Sequence, residues 1–389
     1  MIIQGGSVYC RDLQFHPVNV RISGGFFTSD SDPSPAEDET VLDASGCYVI
    51  PGLVDIHFHG AMGFDICDAS LDAFRAIAAY EAASGITAIC PAALTLPSDL
   101  LEHILTLGAE FADSQRSAGS LADLIGFNME GPFISYDKCG AQNPDYILPC
   151  SAQLVQRFLT ASRGLLKIIG LAPEMSSDFE SYISSVREQV VISLAHTNCD
   201  YDTAQRALQA GASHLVHMYN AMRGFTHRDP GPIGAFMDQI QQTPKARLSC
   251  ELICDGIHVH PCAVRAAFRM MGAEHIIFVS DSLRSTGMPD GEYELGGKIT
   301  VKRDSSCRLK EGGNLAGSVS NLMDCLQTAV LEMGISLENA VACSTIFPAE
   351  RIHADHLYGS IEPGKKGNAV LLEKNTLQVR AVVKDGVPL

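Results

Sequence analysis

The sequence predicts an α/β protein: a TIM-like (β/α)8 barrel with a small β-sandwich domain formed by the two ends of the chain. Two observations predict this fold. From residue 48 onward, eight apolar strand-like runs alternate with amphipathic helical patterns. The first fifty and the last thirty residues instead contain short β-branched stretches broken by Gly, Asp and Pro. We therefore expect the barrel over 51–357 and the small domain over 1–50 plus 358–389.

The two ends of the chain carry the same strand-and-turn chemistry. The N-terminal stretches are MIIQGGSVYC, FHPVNVRISGGFF and VLDASGCYVI, and the C-terminal one is GSIEPGKKGNAVLLEKNTLQVRAVVKDGVPL. Because these two β-rich ends flank one middle region of different pattern, we expect them to pair into a single small domain. The polar, Pro-rich segment 29–39 is predicted to be an exposed loop.

The barrel strands are predicted in the apolar runs that the helical patterns separate. These runs are YVIPGLVDIHFHG, ITAICPAAL, LIGFNMEGP, LLKIIGLAPE, VVISLAHTN, HLVHMYNAM, LSCELICDGIHV and HIIFVSDS. A helix is predicted over 68–85, with Asp68 as its N-cap and Gly85 at its end. A second helix is predicted over 201–211, again with a terminal Gly. Turn residues at 287–297 predict a hairpin near the mouth of the barrel.

Composition limits the classes of partner. The chain of 389 residues is 46% hydrophobic and has a formal net charge of −17, which argues against a nucleic-acid or anionic-membrane surface. The sequence predicts neither a signal peptide nor a membrane span. The 13 cysteines are scattered and form no CxxC pair. That pattern predicts reduced thiols in a cytoplasmic protein.

Residues that could bind a metal ion or transfer a proton stand where five of the eight predicted strands end. They are His57 and His59 after strand 1, Glu130 after strand 3, His196 after strand 5, His217 after strand 6 and Asp281 after strand 8. Imidazole and carboxylate groups suit zinc, iron or manganese better than calcium or magnesium. A single His at a strand end is more often structural, and Asp281 alone could be a helix N-cap. Their joint occurrence at one end of a barrel predicts a metal site.

The order of these residues resembles the amidohydrolase superfamily. Many members bridge two metals with a carboxylated lysine at the end of strand 4, whereas here Lys167 lies near the start of that strand and Glu130 ends strand 3. In this respect the chain resembles the N-acetylglucosamine-6-phosphate deacetylase family. The resemblance continues through AHTNCDYDTAQRALQAG, HLVHMYNAM, HRDPG, CDGIHVHP, VSDSLRSTGMPDGEYELGG, LAGSVSNLMD and GSIEPGKKGNAVLL.

The resemblance implies a hydrolase that converts N-acetyl-D-glucosamine 6-phosphate to D-glucosamine 6-phosphate and acetate, with one or two divalent metal ions, zinc or iron. Glu130, His196 and His217 would hold the principal ion. His57 and His59 would form a second position, which some members lack. Asp281 would accept a proton from water as general base and return it to the leaving amine.

The resemblance also implies a set of substrate contacts. They are Asn220 and Ala221 at the sugar phosphate, His258 at the substrate, Leu315, Ala316 and Gly317 around the acetyl group, and Gln142 where family members commonly have a sugar-contacting histidine. Arg228 would reach the phosphate of the neighbouring subunit, so a homodimer is expected. Arg223 is a competing candidate, and an ion pair with Asp229 is the alternative role for Arg228.

Three alternatives stay open at this point. The same reaction could favour the galactosamine epimer, a selectivity that Gln142 could influence. Another amidohydrolase activity is disfavoured because the strand-4 lysine is missing. A non-catalytic sugar-phosphate sensor on the same scaffold is the alternative from a different class, but such a protein would be expected to have lost the general base or a metal ligand.

Overall fold

The computed structural model describes residues 1–29, 39–115, 119–243 and 247–389. Most of the loop predicted at 29–39 lies outside these ranges. Within the described part of the chain, no helix is long and apolar enough to cross a membrane.

A curled parallel sheet forms the centre of the molecule, as the alternating pattern predicts. Its first piece has the order β13-β11-β8, and its second has the order β12-β14-β15-β16-β17-β18-β19. The bounds are β8 Leu53–Asp55, β11 Ile86–Ile89, β12 Ala92–Ala93, β13 Asp123–Leu124, β14 Phe127–Met129, β15 Leu166–Leu171, β16 Val191–Leu194, β17 His214–Leu215, β18 Ser249–Ile253 and β19 Ile276–Val279. Nearly every residue of these strands is buried, as expected for a sheet covered on both faces.

Two of the eight predicted strands are each divided between the two pieces of the sheet. Strand β11 pairs with β8, and after Cys90 and Pro91 the chain continues as β12, which pairs with β14. Pro91 has no backbone N–H to donate, so the ladder is interrupted there.

Beyond the ends of β8 and β19, the Asp281 N–H donates to the His57 carbonyl at 2.9 Å, and the His59 N–H donates to the Ser282 carbonyl at 2.8 Å.

Helices connect most of the parallel strands and cover the sheet. Their bounds are α1 Leu71–Ala83, α2 Ser98–Ser114, α3 Ala152–Ala161, α4 Phe179–Val186, α5 Tyr201–Ala210, α6 Gly231–Gln242, α7 Pro261–Met271, α8 Leu322–Leu331, α9 Leu337–Ser344 and α10 Ile346–Arg351. The prediction of Asp68 as the N-cap of α1 is wrong, because Ser70 is extended there and its Oγ accepts the Ala73 N–H at 3.2 Å. Asp68 instead closes a capping box with Asp65. Helix α5 begins after Asp200 and ends at Ala210, with Gly211 as its C-cap, close to the predicted bounds.

The two ends of the chain pair with each other. The six-stranded sheet has the order β26-β25-β24-β7-β2-β3, and a four-stranded sheet has the order β5-β4-β1-β6. The bounds are β1 Ile2–Gln4, β2 Ser7–Tyr9, β3 Phe15–His16, β4 Val20–Ser23, β5 Phe26–Phe27, β6 Val41–Asp43, β7 Cys47–Pro51, β24 Ala369–Glu373, β25 Val379–Lys384 and β26 Val387–Pro388. In this sheet Ile50 of β7 lies opposite Val370 of β24.

Two small antiparallel elements complete the described fold. One is the hairpin of β9 Gly60–Ala61 and β10 Phe64–Asp65. The other is a four-stranded sheet of β20 Gly291–Leu295, β21 Lys298–Arg303, β22 Ser306–Leu309 and β23 Leu315–Gly317. The hairpin predicted at 287–297 is therefore displaced, because its second strand is β21 and Gly296–Gly297 form the turn, both at positive φ.

Candidate metal centre

The six candidate residues at the strand ends come together at one face of the parallel sheet. His57 and His59 follow β8, Glu130 follows β14, His196 follows β16, His217 follows β17 and Asp281 follows β19. All six are buried. Because parallel strands place their carboxyl ends at the same edge, short extensions of several strands suffice to bring these side chains together.

Glu130 lies at the centre of the cluster. Its Oε1 is 2.8 Å from Nε2 of His196 and 2.9 Å from Nε2 of His217. The same oxygen is 3.7 Å from Nε2 of His57, and Oε2 is 3.6 Å from Nε2 of His59. Three imidazole rings and one carboxylate oxygen thus converge on one point.

A second set of donor atoms overlaps the first. His57, His59 and Asp281 each offer a ligand atom, and these atoms lie within 4.8 Å of one another, as do those of His57, Glu130 and His217. Nε2 of His59 is 3.3 Å from Oδ1 of Asp281, and Nε2 of His57 is 3.8 Å from the same oxygen. The described residues therefore provide two adjoining groups that could hold a metal ion.

Hydrogen bonds at the far side of the rings aim their Nε2 atoms into the cluster. The Nδ1 of His59 lies 2.9 Å from the Ala92 carbonyl, and the Nδ1 of His196 lies 2.7 Å from the Lys138 carbonyl. A carbonyl can only accept, so each Nδ1 donates and each neutral ring keeps its lone pair on Nε2. Nε2 of His57 is buried and has no hydrogen-bond partner among the described residues. Such a group of inward-facing lone pairs fits a divalent metal ion.

The backbone is unusual at three of these positions. His196, His217 and Asp281 have φ angles of 43°, 24° and 50°. Non-glycine residues with positive φ are uncommon and cost on the order of 1–3 kcal/mol each. Strain at three strand ends of one sheet is typical of a site selected for function rather than for stability.

The buried acids and histidines of the cluster shift one another's pKa values. Burial would raise the pKa of Glu130, but the histidines, above all His196, outweigh it and hold that pKa well below its ordinary value. Burial would likewise raise the pKa of Asp281, yet the surrounding histidines, above all His59, outweigh it and lower that pKa. Burial opposes a charge on His57, but the carboxylates around it, above all Glu251, raise its pKa to about 10. A cation bound at Nε2 would replace the proton that these carboxylates favour there. Because their pKa values are lowered, the carboxyl groups of Glu130 and Asp281 are ionised at neutral pH.

An open cleft of about 320 Å³ leads to the cluster, a volume suited to a small molecule. Most of the predicted substrate-contacting residues line it: Gln142, Asn220, Ala221, His258, Leu315, Ala316 and Gly317. Lys138 and Asn314 also line it, and sequence reasoning missed both. His258 is fixed by Asp255, whose Oδ2 lies 2.7 Å from its Nδ1, so that the buried Nε2 of His258 is left without a partner among the described residues.

Gln142 contacts Glu130. Its Oε1 accepts the Thr95 N–H at 2.6 Å, and this obligatory donor fixes the orientation of the amide. The Nε2 of Gln142 therefore faces Glu130 and donates to its Oε2. In addition, Lys298 Nζ donates to the backbone carbonyl of Gln142 at 2.8 Å. The residue expected at the sugar thus also positions a metal-binding candidate.

Arg228 is the one predicted substrate-contacting residue that does not line the cleft. It is exposed and makes no hydrogen bond or ion pair with the residues that the structure describes. The alternative ion pair with Asp229 is not formed, because Oδ2 of Asp229 is bound by Nε of Arg223 at 2.6 Å. Arg223 also donates to the Asn198 carbonyl at 3.2 Å, so its guanidinium is already engaged.

A buried carboxylate beneath the cluster was missed from the sequence. Glu251 lies in β18, and its carboxylate contacts the rings of His57 and His214. A single acid within the apolar run LSCELIC was the available signal, since an isolated buried charge requires a partner. Asp55, which accepts the His57 N–H at 3.1 Å, is a second such carboxyl group.

Comparisons with known proteins agree with this geometry. A sequence profile of the amidohydrolase family matches residues 48–389. The chain is 30% identical over 380 residues to the N-acetylglucosamine-6-phosphate deacetylase of Bacillus subtilis (strain 168), covering 95% of this chain and 92% of that protein. It is 29% identical over 354 residues to the N-acetylgalactosamine-6-phosphate deacetylase of Escherichia coli O157:H7, covering 91% and 90%. The crystal structure of N-acetyl-D-glucosamine-6-phosphate deacetylase from Mycobacterium smegmatis superposes with a TM-score of 0.89 at 26% identity, covering 100% of both chains.

Proposed function

This chain belongs to the amidohydrolase family, and we propose that it hydrolyses the acetamide of N-acetyl-D-glucosamine 6-phosphate to D-glucosamine 6-phosphate and acetate. The observation that carries this proposal is the convergence of His196 and His217 on one oxygen of Glu130 at the base of an open cleft. Relatives that match nearly the whole chain are deacetylases of acetylated amino-sugar phosphates. None of the six candidate residues for metal binding and proton transfer is missing, which argues against a non-catalytic sensor.

Glu130, His196 and His217 would hold the principal metal ion, with zinc or iron as the expected metal. His57 and His59 would hold a second ion, giving one or two ions per subunit. The nitrogen and carboxylate donors support this assignment, as does the unpartnered Nε2 of His57. When bound, such an ion lowers the pKa of its water strongly, towards about 7, and polarises a carbonyl oxygen.

Asp281 would be the catalytic base. Its lowered pKa keeps the carboxylate ionised at neutral pH, and the proximity of Oδ1 to Nε2 of His59 orients it. It would take a proton from the attacking water while the water oxygen bonds to the acetyl carbon. The same carboxyl group would then pass that proton to the amine nitrogen as the C–N bond breaks, since an unprotonated amine leaves poorly.

The chain's own residues would also position the substrate. Leu315, Ala316 and Gly317 would line the acetyl pocket, and Gln142 and His258 would contact the substrate in the same cleft. For the phosphate we propose Asn220 and Ala221, together with Arg228 donated by the second subunit of a homodimer. The planar fork of an arginine suits a phosphate group. Arg228 is exposed and has no partner among the described residues, which supports a role in a neighbouring site.

For the architecture, we propose that the curled sheet closes into a (β/α)8 barrel over 51–357, and that 1–50 and 358–389 form one β-sandwich domain. The hydrogen bonds between residues beyond β8 and β19 support closure. Pairing of β7 with β24 supports a shared terminal domain. The buried Lys384 pairs with Asp123 at 3.0 Å, which supports a fixed contact between the two units.

All 13 cysteines are free, in keeping with a proposed cytoplasmic location.

The galactosamine epimer is the second candidate substrate. Two observations favour keeping it: Gln142 replaces the usual histidine, and a relative that matches most of the chain is named for that epimer. The two substrates differ in the orientation of one hydroxyl group, so the chemistry would be the same for both.

Acetate release from four compounds tests the proposal. The metal-loaded protein would be incubated with both epimeric 6-phosphates and with their unphosphorylated forms, and its metal content would be measured. We expect the fastest release from N-acetylglucosamine 6-phosphate and much slower release from the two unphosphorylated sugars. Faster release from the galactosamine epimer would favour the second candidate, and no acetate from any compound with metal bound would contradict both.

A further inference from the structure

Glu251 lies directly beneath the candidate metal centre and contacts three histidines there. It is fully buried in β18. Its Oε2 lies 2.8 Å from Nδ1 of His57 and 2.9 Å from the backbone N–H of His217, and its Oε1 lies 2.9 Å from Nε2 of His214. One carboxylate therefore contacts a candidate ligand of each proposed metal position.

The contact with His57 determines which ring nitrogen can bind metal. An ionised carboxylate only accepts hydrogen bonds, so Nδ1 of His57 must donate to Glu251. In the neutral ring the lone pair is then on Nε2, which faces Glu130 and Asp281 at 3.7 and 3.8 Å. Without this acceptor, the proton could occupy Nε2 instead, and that nitrogen would no longer be a ligand.

The contact with His217 acts on the backbone. His217 has a φ of 24°, at the margin of the left-handed region, and the bond from its N–H to Glu251 helps to hold this conformation. Because Oε2 accepts from both His57 and His217, a shift of the carboxylate would displace the ring of one and the backbone of the other.

The other carboxylate oxygen is itself held in place. Nε2 of His214 must donate to Oε1 of Glu251, which leaves its Nδ1 to accept from the Ser249 hydroxyl at 2.7 Å. Burial lowers the pKa of His214, which keeps this ring neutral. Among the described residues, the Glu251 carboxylate is thus held by the His217 backbone and by the His214 ring, and it is left to orient the third donor, His57.

We propose that Glu251 is a positioning residue that fixes the metal-binding tautomer of His57 and couples the two metal positions. This inference rests on the metal dependence in the proposed function. The competing role is a buried polar network that serves stability alone, so the test must measure metal binding and ring protonation as well as folding.

Zinc titration of the chelator-stripped protein provides the first test. Glu251→Met removes the acceptor at similar size, Glu251→Gln retains an amide oxygen, and Glu81→Gln is the control because both oxygens of that buried carboxyl group lack partners among the described residues. We expect Glu251→Met to weaken zinc binding about 10–100-fold, Glu251→Gln to recover much of the loss, and Glu81→Gln to match the wild type. Binding by Glu251→Met as tight as in the wild type would overturn the inference.

A double-variant comparison tests the route through His57. If Glu251 acts by orienting this ring, then Glu251→Met costs clearly less zinc affinity in a His57→Asn background than in the wild type, and the remaining loss is the part that acts through the His217 backbone. An equally large additional loss would overturn this route. None of these titrations uses substrate, so failed acetate release with normal zinc results would reject the proposed function and leave the inference intact.

Nitrogen NMR of the zinc-loaded wild type requires no Glu251 variant and therefore applies even if Glu251→Met does not fold. With histidine labelled by 15N and His57→Asn used for assignment, we expect a protonated Nδ1 on His57. A proton on Nε2 of His57 would overturn the inference.

Discussion

The Nε2 atoms of His196 and His217 lie 3.2 Å apart, and both contact Oε1 of Glu130. Nε2 of His196 bears a lone pair in the neutral ring, because its Nδ1 donates to the Lys138 carbonyl. Such close approach of ring nitrogens to one carboxylate oxygen is the arrangement that a shared cation would stabilise.

Metal removal should therefore destabilise the fold. We expect chelation to lower the melting temperature and zinc to restore it, because a ligand that binds only the native state at 100 times its Kd adds about 2.7 kcal/mol of stability. Glu130→Gln should abolish most of the zinc-dependent shift, whereas His227→Ala, which removes an exposed histidine, should retain it. An unchanged melting temperature on chelation, measured by calorimetry, would argue against a resident metal.

Asp281→Asn should separate metal binding from catalysis. The amide cannot accept and return a proton at neutral pH, so we expect turnover to fall at least about 100-fold. The principal metal ion should stay bound, because Glu130, His196 and His217 would hold it without this side chain. Steady-state assays with elemental analysis check both expectations, and a near-normal turnover would rule out Asp281 as the base.

Arg228→Ala should affect the phosphate alone. We expect kcat/KM for the 6-phosphate to fall at least about 10-fold, as for loss of a hydrogen bond to a charged group. The rate with the unphosphorylated sugar should not change. Arg223→Ala is the matched comparison from the same loop, since its guanidinium is bound to Asp229 and Asn198. A phosphate-specific loss in Arg223→Ala instead would reassign the contact.

The pair of Asp255 and His258 should make stability depend on pH. Burial opposes the charge on His258, but the hydrogen bond and charge of Asp255 outweigh burial and raise the pKa of His258. The pair therefore contributes stability fully below the unfolded value of about 6.5, and that contribution is lost as pH rises through the folded pKa. We expect Asp255→Asn to destabilise the protein more near pH 6 than near pH 9, in denaturant unfolding.

At low pH, the stability that this pair contributes declines for a separate reason, the protonation of Asp255. Burial would raise the pKa of Asp255, but His258 lowers it, so this stabilisation is present above the ordinary carboxyl value and declines as pH falls through the folded pKa. Asparagine keeps the oxygen that accepts the Ile257 and His258 N–H groups. An equal loss of stability at both pH values would show that the ion pair contributes nothing.

The metal-binding candidates could be predicted from the sequence because the predicted fold determines which strand ends lie together. Parallel strands place their carboxyl ends at one face, so His196 and His217 needed only to follow apolar runs to be expected together. The pairing of the two ends of the chain was also predictable, since both are β-rich and flank one middle region of different pattern.

Contacts between distant segments could not be predicted in the same way. Gln142 reaches Thr95 and Glu130, and no local pattern indicates which buried groups an amide will meet. Glu251 lies in a strand buried on both faces, where alternation does not indicate the interior side. The N-cap of α1 was misassigned because Asp68 and Ser70 are both good caps, and only the extended backbone at Ser70 decides between them.

The most direct test of the central claim is acetate release from N-acetylglucosamine 6-phosphate by one preparation measured in three states: as metal-loaded, after chelation, and after zinc or iron is restored. The account predicts release in the first state, loss of most of it in the second, and recovery in the third. Undiminished release after complete removal of metal would contradict a metal-dependent mechanism, and no release from the metal-loaded protein would contradict the deacetylase assignment.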